Sequence, residues 1–477
     1  MDKGIAVKKE ENFSEWYTEL LEKAELADTR YGIKGFVVYR EWAQISIEKM
    51  FRIYCDALDN YDHMPLCFPT LIPEKNFELE SSHVEGFSPE VFWLEKEGDE
   101  RFALRPTSET AFYQMYSLWI RSHRDLPYKR YQRCSVFRAE KTKTTRPFFR
   151  GREFHWIESH NGFESEKKAM KQVMEDMQIT KEVLLGRFAI PHIFFERPQW
   201  DKFPGAVNTY AADALMGSGK VLQLPSTHYL GTNFSKPFNV KYQSKDGKEK
   251  YVHLTCYGPA ISRIYGAMVA LHSDNKGLRV PFELSPKQIV IIPIRFEKDK
   301  NVMKHAKKIE RKLKKYSVFI DSREEYTPGY KFNEWELKGI PIRIEIGPKD
   351  IEKEQVVIMR RDTGEKETVR LEELSKYVKS IEKEFTENLK KQASTDFDKS
   401  IINAKTMQEI KEGIKNDKIV RINIKNMELE STKLAEEIDL LGGEIRGCRI
   451  DVKEKPFGKC VVSKEPATRV VYVAKSY

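Results

Sequence analysis

The stretch Phe102–His160 constrains this chain more than any other, because two of its segments read as neighbouring strands whose polar residues share a face. Strand side chains alternate between faces. Over Lys129–Glu140 that rule places Arg138 and Glu140 together, and in the strand that follows it does the same for Arg152, Phe154, Trp156 and Glu158. Ahead of them, a strand at Arg101–Arg105 stops at Pro106, and Thr107-Ser108-Glu109 reads as the cap of a long amphipathic helix. Between the two strands lies a basic loop with the turn Thr144-Thr145-Arg146-Pro147. A sheet face carrying two arginines, two carboxylates and two aromatic rings suits a polyanion beside a flat ring. The pattern predicts an ATP site built without a glycine-rich loop.

At 477 residues the chain exceeds a single core, and about 150 residues per domain predicts three domains. Hydrophobic residues make up 40% and charged residues 32%, the balance of a soluble globular protein. No apolar run approaches the ~20 residues of a membrane span, so no membrane partner is expected. The charged start Met1–Trp16 lacks the apolar core of an export signal. Six cysteines, at 55, 67, 134, 256, 448 and 460, form no CxxC pair, which fits a reducing cytoplasm better than a disulfide framework. The net charge of +9 suits a polyanionic partner and equally suits lysine-rich solubility.

Phe13, Trp16, Tyr17, Leu20, Leu21 and Ala24 recur at helical spacing, predicting an amphipathic helix within residues 10–30, for packing or a dimer surface. A second helix is expected over about 41–60. His63–Leu71 reads as a short apolar strand with Pro69 inside it, which restricts it to an edge or an interface that needs no ladder bond. Residues 164–187 predict a charged helix, His192–Glu196 a strand, and Trp200–Ala206 a loop. Tyr210–Leu215 and Lys220–Leu224 predict a hairpin turning at Met216–Gly219. Its Gly-Ser-Gly-Lys lacks the spacer and hydroxyl of a phosphate loop, and a strand follows it. Polar residues from Gln223 to Gly231 are expected to interrupt the strand end. A strand over Lys250–Tyr257 meets Gly258, and a helix follows with Ser262 and Arg263 in its first turns. An arginine there opposes the helix dipole; a bound anion or open solvent would offset the cost.

Beyond a linker at Pro281–Pro286, residues 287–376 alternate strand, helix, strand, helix, strand, strand, predicting a small α/β domain with a partly parallel sheet. Its polar residues near strand ends suit base edges and phosphates, or surface ion pairs. A long charged helix is expected over 377–415, then a strand-rich tail ending at Tyr477.

Six motifs occur in order: Arg-Pro-Thr-Ser-Glu-Thr from Arg105, Phe-Arg-x-Glu from Phe137, Thr-Arg-Pro from Thr145, Arg-Glu-Phe-x-Trp-x-Glu-x-His from Arg152, Trp-Asp-Lys-Phe-Pro-Gly from Trp200, and Tyr-Gly with Ser-Arg from Tyr257. With the ending Lys475-Ser476-Tyr477, this set resembles the prolyl-tRNA synthetases of the archaeal and eukaryotic-like branch, a class II synthetase family, from about residue 13 onward. The resemblance implies an α/β multidomain chain. A class II antiparallel sheet flanked by helices would occupy 1–283 and a small α/β anticodon-binding domain 287–376. An α+β C-terminal domain of degenerate zinc-binding type would occupy 377–477. It implies a cytoplasmic homodimer, paired through the strand with Pro69, that joins L-proline to tRNA(Pro) through a prolyl-adenylate, using ATP and Mg²⁺.

Residue by residue, the resemblance implies that Arg138 and Arg263 are catalytic. ATP would be held by Arg138, Glu140, Arg152, Phe154, Gln223, Ser226, Ser262 and Arg263. Proline would lie among Phe87, Thr107, Glu109, Arg138, Trp156, Glu158, His160 and His228, with Glu109 accepting from its secondary ammonium and Trp156 and Phe87 forming a flat slot. Arg343, Glu345, Arg360 and Arg361 would read the anticodon, arginine being the usual partner of guanine. Tyr477 would fold back toward the active site.

The family commonly holds a structural zinc with two cysteine pairs. Here the first pair falls on Asn426 and Ser431, and of the second only Cys460 remains, with Val462 or Ser463 in its partner's place. One thiolate cannot build a tetrahedral site, so no structural zinc is expected, and Ile422, Ile424, Leu434 and Ile438 should pack in its stead. Val38–Ala43 lacks the family's Pro-x-Gly, and Pro259–Arg263 is one residue longer than its usual form. Two rivals are another class II synthetase, of which the threonyl type needs a zinc-binding Cys with two His, and a synthetase-like tRNA-binding module without activity. Cys134 is the only cysteine in Phe102–His160 and reads better as a core residue.

Overall fold

Helix α1 (Phe13–Lys23) forms where its periodicity predicts: Asn12 caps it by accepting from Glu15 N, and Phe13, Trp16, Tyr17, Leu20 and Leu21 are buried. They join α2 (Glu41–Asn60) in the main core. The structure, a computed structural model, describes residues 4–81, 91–95, 98, 100–425 and 431–477. The apolar strand expected over His63–Leu71 is split into β1 (Met64–Pro65) and a short strand, Leu71–Pro73, that pairs with Phe102–Leu104 in a separate sheet. Between them side chains serve Phe68: Gln132 Oε1 accepts from Phe68 N at 3.0 Å and Arg105 donates to Phe68 O at 3.0 Å. The long helix expected after Thr107-Ser108 is α3 (Glu109–Trp119), of 11 residues.

The large sheet follows. Its strands are β2 (Tyr128–Phe137), β3 (Glu153–Phe163), β4 (Ile193–Glu196), β5 (Asn208–Leu215), β6 (Val221–Gly231) and β7 (His253–Gly258). Helix α4 (Glu166–Thr180), continued by a π-helical turn at Lys181–Arg187, and α5 (Ile261–His272) flank it. β6 is not interrupted at Gln223–Gly231, contrary to expectation. It is paired on both sides by β5 and β7, and its register against β5 shifts between Ala211 and Asp213. That bulge absorbs Pro225, which has no N–H for a ladder.

The small domain holds β8 (Ile289–Pro293), α6 (Lys300–Lys312), β9 (Val318–Ile320), α7 (Pro328–Leu337), β10 (Ile342–Ile346), β11 (Gln355–Arg360) and β12 (Lys366–Arg370). The sheet order is β9-β8-β10-β11-β12, parallel among the first three and antiparallel after. β12 adds a strand the sequence pattern did not reveal, because as a solvated edge it buries only Val369.

The charged helix expected over 377–415 is two helices. α8 (Leu374–Ser400) lends Leu374, Val378, Ile381, Phe385 and Leu389 to the small domain's core. The β-branched pair Ile401-Ile402 then forms β13 (Ile401–Asn403), and Thr406 caps α9 (Met407–Lys415). The remaining elements are β14 (Ile419–Ile424), α10 (Ser431–Asp439), β15 (Glu444–Arg449) and β16 (Arg469–Ala474). Ile422, Ile424, Leu434 and Ile438 are buried together with Cys460, whose sulfur accepts from Val462 N at 3.4 Å and Ser463 N at 3.5 Å. Asn426 lies outside the described residues.

These terminal strands do not stand apart. β15 pairs antiparallel with β4, Cys448 opposite Glu196 and Arg449 opposite Phe195. One eleven-stranded sheet results, in the order β13-β14-β16-β15-β4-β5-β6-β7-β3-β2-β1. Among the described residues no helix is long and apolar enough to cross a membrane.

Candidate active site

Pairing of β2 with β3 sets Gln132 opposite Glu158, Cys134 opposite Trp156 and Val136 opposite Phe154. The alternation read from the sequence therefore holds through both strands. Arg138 lies one residue beyond β2, where its N–H still donates to Arg152 O at 2.8 Å. A cleft of about 270 Å³ opens over this face. Its walls include Arg138, Trp156, Glu158 and His160, the turn at Thr107 and Glu109, and Gln223, Ser226, His228 and Arg263 from the neighbouring strands and helix.

Within it, carboxylates and hydroxyls converge. Ser108 does not cap α3 with its side chain. Its hydroxyl donates to Glu158 Oε2 at 2.6 Å and its N–H to Glu158 Oε1 at 3.0 Å. Gln132 adds a 3.0 Å bond to Oε2 and Thr107 one of 3.0 Å to Oε1. Burial opposes the charge of Glu158, but the His160 ring and these donors hold its carboxyl below the usual range. Thr107 Oγ1 also meets Glu109 Oε2, and one hydroxyl proton cannot serve two carboxylates. Glu109, Glu158 and His160 bring ligand atoms within 4.8 Å of one another. Burial pulls the His160 pKa down despite both carboxylates. The set is built for a small cation with N–H donors.

Two half-buried arginines also line the cleft. Arg138 donates to Pro106 O at 3.3 Å, and its guanidinium lies 5.0 Å from the Trp156 ring centre and 5.3 Å from that of Phe154. Arg263 donates to Phe149 O at 2.9 Å and Gln223 O at 3.3 Å. Burial, with the like charges of Arg138 and Arg150, pulls Arg263 down to about 10. Both are hydrogen-bonded to carbonyls, and neither forms an ion pair with a carboxylate among the described residues. Gly258 is required here: a Cβ on it would meet Trp156 Nε1 at 2.6 Å, so only glycine lets the indole lie against β7.

Elsewhere in the cleft, Ser226 Oγ and His228 Nε2 are 3.0 Å apart, and His228 Nδ1 meets Thr209 Oγ1 at 2.8 Å. Burial and the nearby Arg197 and His160 push His228 down to about 3, so its ring is neutral. Several expected residues stand elsewhere. Glu140 is paired with Arg150 at 2.6 Å beside the cleft. Arg152 stacks on Phe92, 4.5 Å away, and Phe36, 5.7 Å away, turned from the cleft by the close approach of Gly35. Phe154 is buried against Val136 and Ala260. Ser262 lies under the sheet, where its hydroxyl accepts from His155 N at 3.2 Å, as its place in the first turn of a buried helix dictates. Phe87 lies outside the described residues. Tyr477 is not among the residues lining the cleft: its hydroxyl meets Ser218 Oγ at 2.6 Å and its ring stands 5.0 Å from Phe149, whose carbonyl accepts from Arg263. Asp201, Lys202 and Phe203 also line the cleft; their motif was visible, but nothing in a loop sequence says which way it faces.

In the small domain, Arg343 pairs with Glu345 at 2.9 Å, with its guanidinium 4.3 Å from the Phe332 ring. Arg360 bonds Asp362 and Glu384, each at 2.8 Å. Arg361 departs from the expectation. Only 2% exposed, it pairs with Asp274 at 2.6 Å and donates to Glu336 O at 3.1 Å, which pins this domain to the catalytic one and removes the side chain from any anticodon.

Residues 92–272 match the family model described as tRNA synthetase class II core domain (G, H, P, S and T), and residues 288–381 match the one described as Anticodon binding domain. Fold and site together define a class II aminoacyl-tRNA synthetase. The proline--tRNA ligase of Thermofilum pendens is 48% identical over the full length of both chains. The Giardia lamblia prolyl-tRNA synthetase in complex with prolyl-adenylate superposes with a TM-score of 0.94 at 32% identity, covering 99% of this chain and 100% of its own. The Cryptosporidium parvum enzyme complexed with L-proline and AMP gives 0.91 at 31% identity over the whole of both chains. The chain belongs to the proline--tRNA ligase family, the enzymes that attach proline to tRNA.

Proposed function

We propose that the cleft binds ATP and L-proline side by side and joins them as prolyl-adenylate before transfer to tRNA(Pro). The observation that carries this reading is the pair Arg138 and Arg263: two half-buried guanidiniums, ion-paired to no carboxylate among the described residues, in the same cleft as the Glu109, Glu158 and His160 cluster. An anion belongs by the arginines and an ammonium by the carboxylates. Arg138 stands where the proline carboxylate and the α-phosphate meet. Gln223 and Ser226 contact the nucleotide, His228 and Trp156 bound the pyrrolidine ring, and Glu109 accepts from its secondary ammonium. Glu140, Arg152, Phe154 and Ser262 shape the walls from behind.

The chemistry needs no protein nucleophile. A proline carboxylate oxygen attacks the α-phosphorus and the bond to the β,γ-pyrophosphate breaks. A ribose hydroxyl at the tRNA 3′ end then attacks the prolyl carbonyl, and AMP leaves. Positioning and charge neutralisation by Arg138 and Arg263 supply the acceleration. Mg²⁺ would enter on the phosphates. Glu158 already accepts four hydrogen bonds from Thr107, Ser108 and Gln132 and so makes a poor ligand for it. One methylene distinguishes amino acids in such a slot by only about 1–3 kcal/mol, so alanine and cysteine are the competitors to measure.

We also place the enzyme in the cytoplasm as a homodimer. Supporting that, Met64 and Leu71 near the sheet's β1 end are 58% and 43% exposed, an apolar edge that asks for a partner. Arg343, Glu345 and Arg360 remain the anticodon readers, in a small domain over 287–376 between domains over 1–283 and 377–477, with the first half of α8 packing back into the small domain's core. The packed Ile422, Ile424, Leu434 and Ile438 stand in for zinc. Amino-acid-dependent ATP–pyrophosphate exchange across all twenty amino acids tests the central reading: exchange with proline supports it, and exchange with another amino acid alone reassigns the site. Stoichiometric zinc in the purified protein would overturn the last assignment.

A further inference from the structure

A charged group with no role so far is buried between the catalytic sheet and the terminal strands. Asp213 of β5 is 1% exposed and is gripped from two sides. Arg197, which follows β4, reaches it at 2.6 and 3.1 Å, and Arg446 of β15 reaches it at 2.7 and 3.2 Å. Arg197 also donates to Arg446 O at 2.9 Å. Two buried arginines around one carboxylate are a costly way to join two domains, and apolar packing would serve stability as well.

The local fold is bent to make the arrangement. Between Ile445 and Gly447 the register of β15 against β16 shifts, and Gly447 has φ +115°, with Glu196 O 2.0 Å from where a Cβ would stand. This glycine bulge turns Arg446 inward. The cluster then leads to the cleft. Arg197 donates to Gln223 Oε1 at 3.0 Å, and the carbonyl of that same Gln223 accepts from Arg263 at 3.3 Å. One residue of β6 is thus held at its side chain by Arg197 while its main chain holds Arg263.

We infer that Arg446, supplied by the C-terminal segment, is a positioning residue for the nucleotide: through Asp213 and Arg197 it fixes Gln223 and, with it, Arg263. The inference rests on the reading of Gln223 and Arg263 as nucleotide contacts. Substitution at Arg446 leaves Asp213 paired with Arg197 in a charge-balanced couple, so the sheet retains a satisfied carboxylate. The orientation of Arg197 is released, and the half-exposed Glu444 loses its ion pair with Arg446.

The test is proline-dependent ATP–pyrophosphate exchange by the full chain, with the KM for ATP, the KM for proline, kcat and the unfolding midpoint measured for R446M, R446K and Q223A. R446M should raise the ATP KM roughly tenfold, the scale of one misplaced charge-assisted hydrogen bond, while the proline KM stays within about twofold. R446K, which keeps the charge but not the two-pronged grip, should fall between. If R446M does not fold, R446K carries the same comparison. An unchanged ATP KM overturns the inference, as does an equal rise in both KM values that tracks the unfolding midpoint. Q223A separates the two levels. A raised ATP KM in Q223A with none in R446M removes only the role of Arg446, whereas no change in Q223A removes the nucleotide role of Gln223 and the inference with it.

Discussion

Replacing Glu158 with Gln probes the most crowded carboxylate in the cleft. Its two oxygens accept four N–H and O–H donors: Thr107 Oγ1 and Ser108 N on Oε1, Ser108 Oγ and Gln132 Nε2 on Oε2. A glutamine amide offers one acceptor oxygen and turns an NH₂ toward the other pair of donors. The Ser108 hydroxyl can rotate to accept, but the Gln132 amide is fixed because its own oxygen holds Phe68 N at 3.0 Å. One buried donor is lost outright and a second is weakened, at about 1–3 kcal/mol each, so E158Q should destabilise the catalytic domain by about 2–4 kcal/mol. The turn at Thr107 and Ser108 hangs on these bonds and carries Glu109, so the KM for proline should rise at least about tenfold with the ATP KM little changed. The pH sign is fixed as well. The carboxyl of Glu158 is held below its usual value by His160 and its donors, against burial. Its contribution is therefore present above the unfolded value of ~4.3 and is lost as pH falls through the folded one. Urea unfolding at several pH values and exchange kinetics check this. An E158Q protein as stable as the parent, with an unchanged proline KM, would refute the claim that these bonds place the turn.

Asp176 predicts the opposite pH slope. Burial raises it to about 7, against the bonds from Thr227 and Gln172. Its stabilising contribution is complete below the unfolded value near pH 4 and lost as pH rises through 7, a change on the order of 4 kcal/mol. D176N should flatten that slope, and parallel stability curves between pH 5 and 8 would dismiss it. R138K keeps a charge but not the planar fork that can meet carboxylate and phosphate together; exchange should fall by at least about a hundredfold, and activity within tenfold of the parent would contradict that placement. Deleting Ser476 and Tyr477 removes the ring against Phe149, whose carbonyl holds Arg263; kcat should fall beyond any loss in the unfolding midpoint, and unchanged kinetics would reject the link.

The sequence carried the site's inner face well, because two antiparallel strands convert a two-residue period directly into a shared surface. Trp156 and Glu158 landed where the alternation placed them. Glu140 and Arg152 did not face the cleft, since they lie past the regular strands, where an ion pair with Arg150 and stacking on Phe92 decide direction. The same limit explains Arg361. Its position after β11 was visible, but its partner, Asp274, belongs to another domain, and no local pattern announces a contact across 87 positions. The Asp213 cluster was hidden for a similar reason: Arg446 is 233 positions from the carboxylate it grips. Local rules also missed the break at Ile401, because a strand of three residues gives too short a signal to end a helix pattern that resumes six residues later.

The addition of β15 to the edge of β4 governs how the molecule can be assembled. Contacts this distant in sequence form late and slowly. While a ribosome delivers the chain, β4 has its outer ladder unpaired until residues 444–449 emerge, and β6 lacks the bond from Val221 N to Lys475 O until the last few residues do. The catalytic sheet thus passes through a stage with one raw edge, an invitation to pair with the wrong chain. Truncations that stop short of β15 should make that stage permanent, and their expected mark is aggregation rather than a tidy loss of one domain.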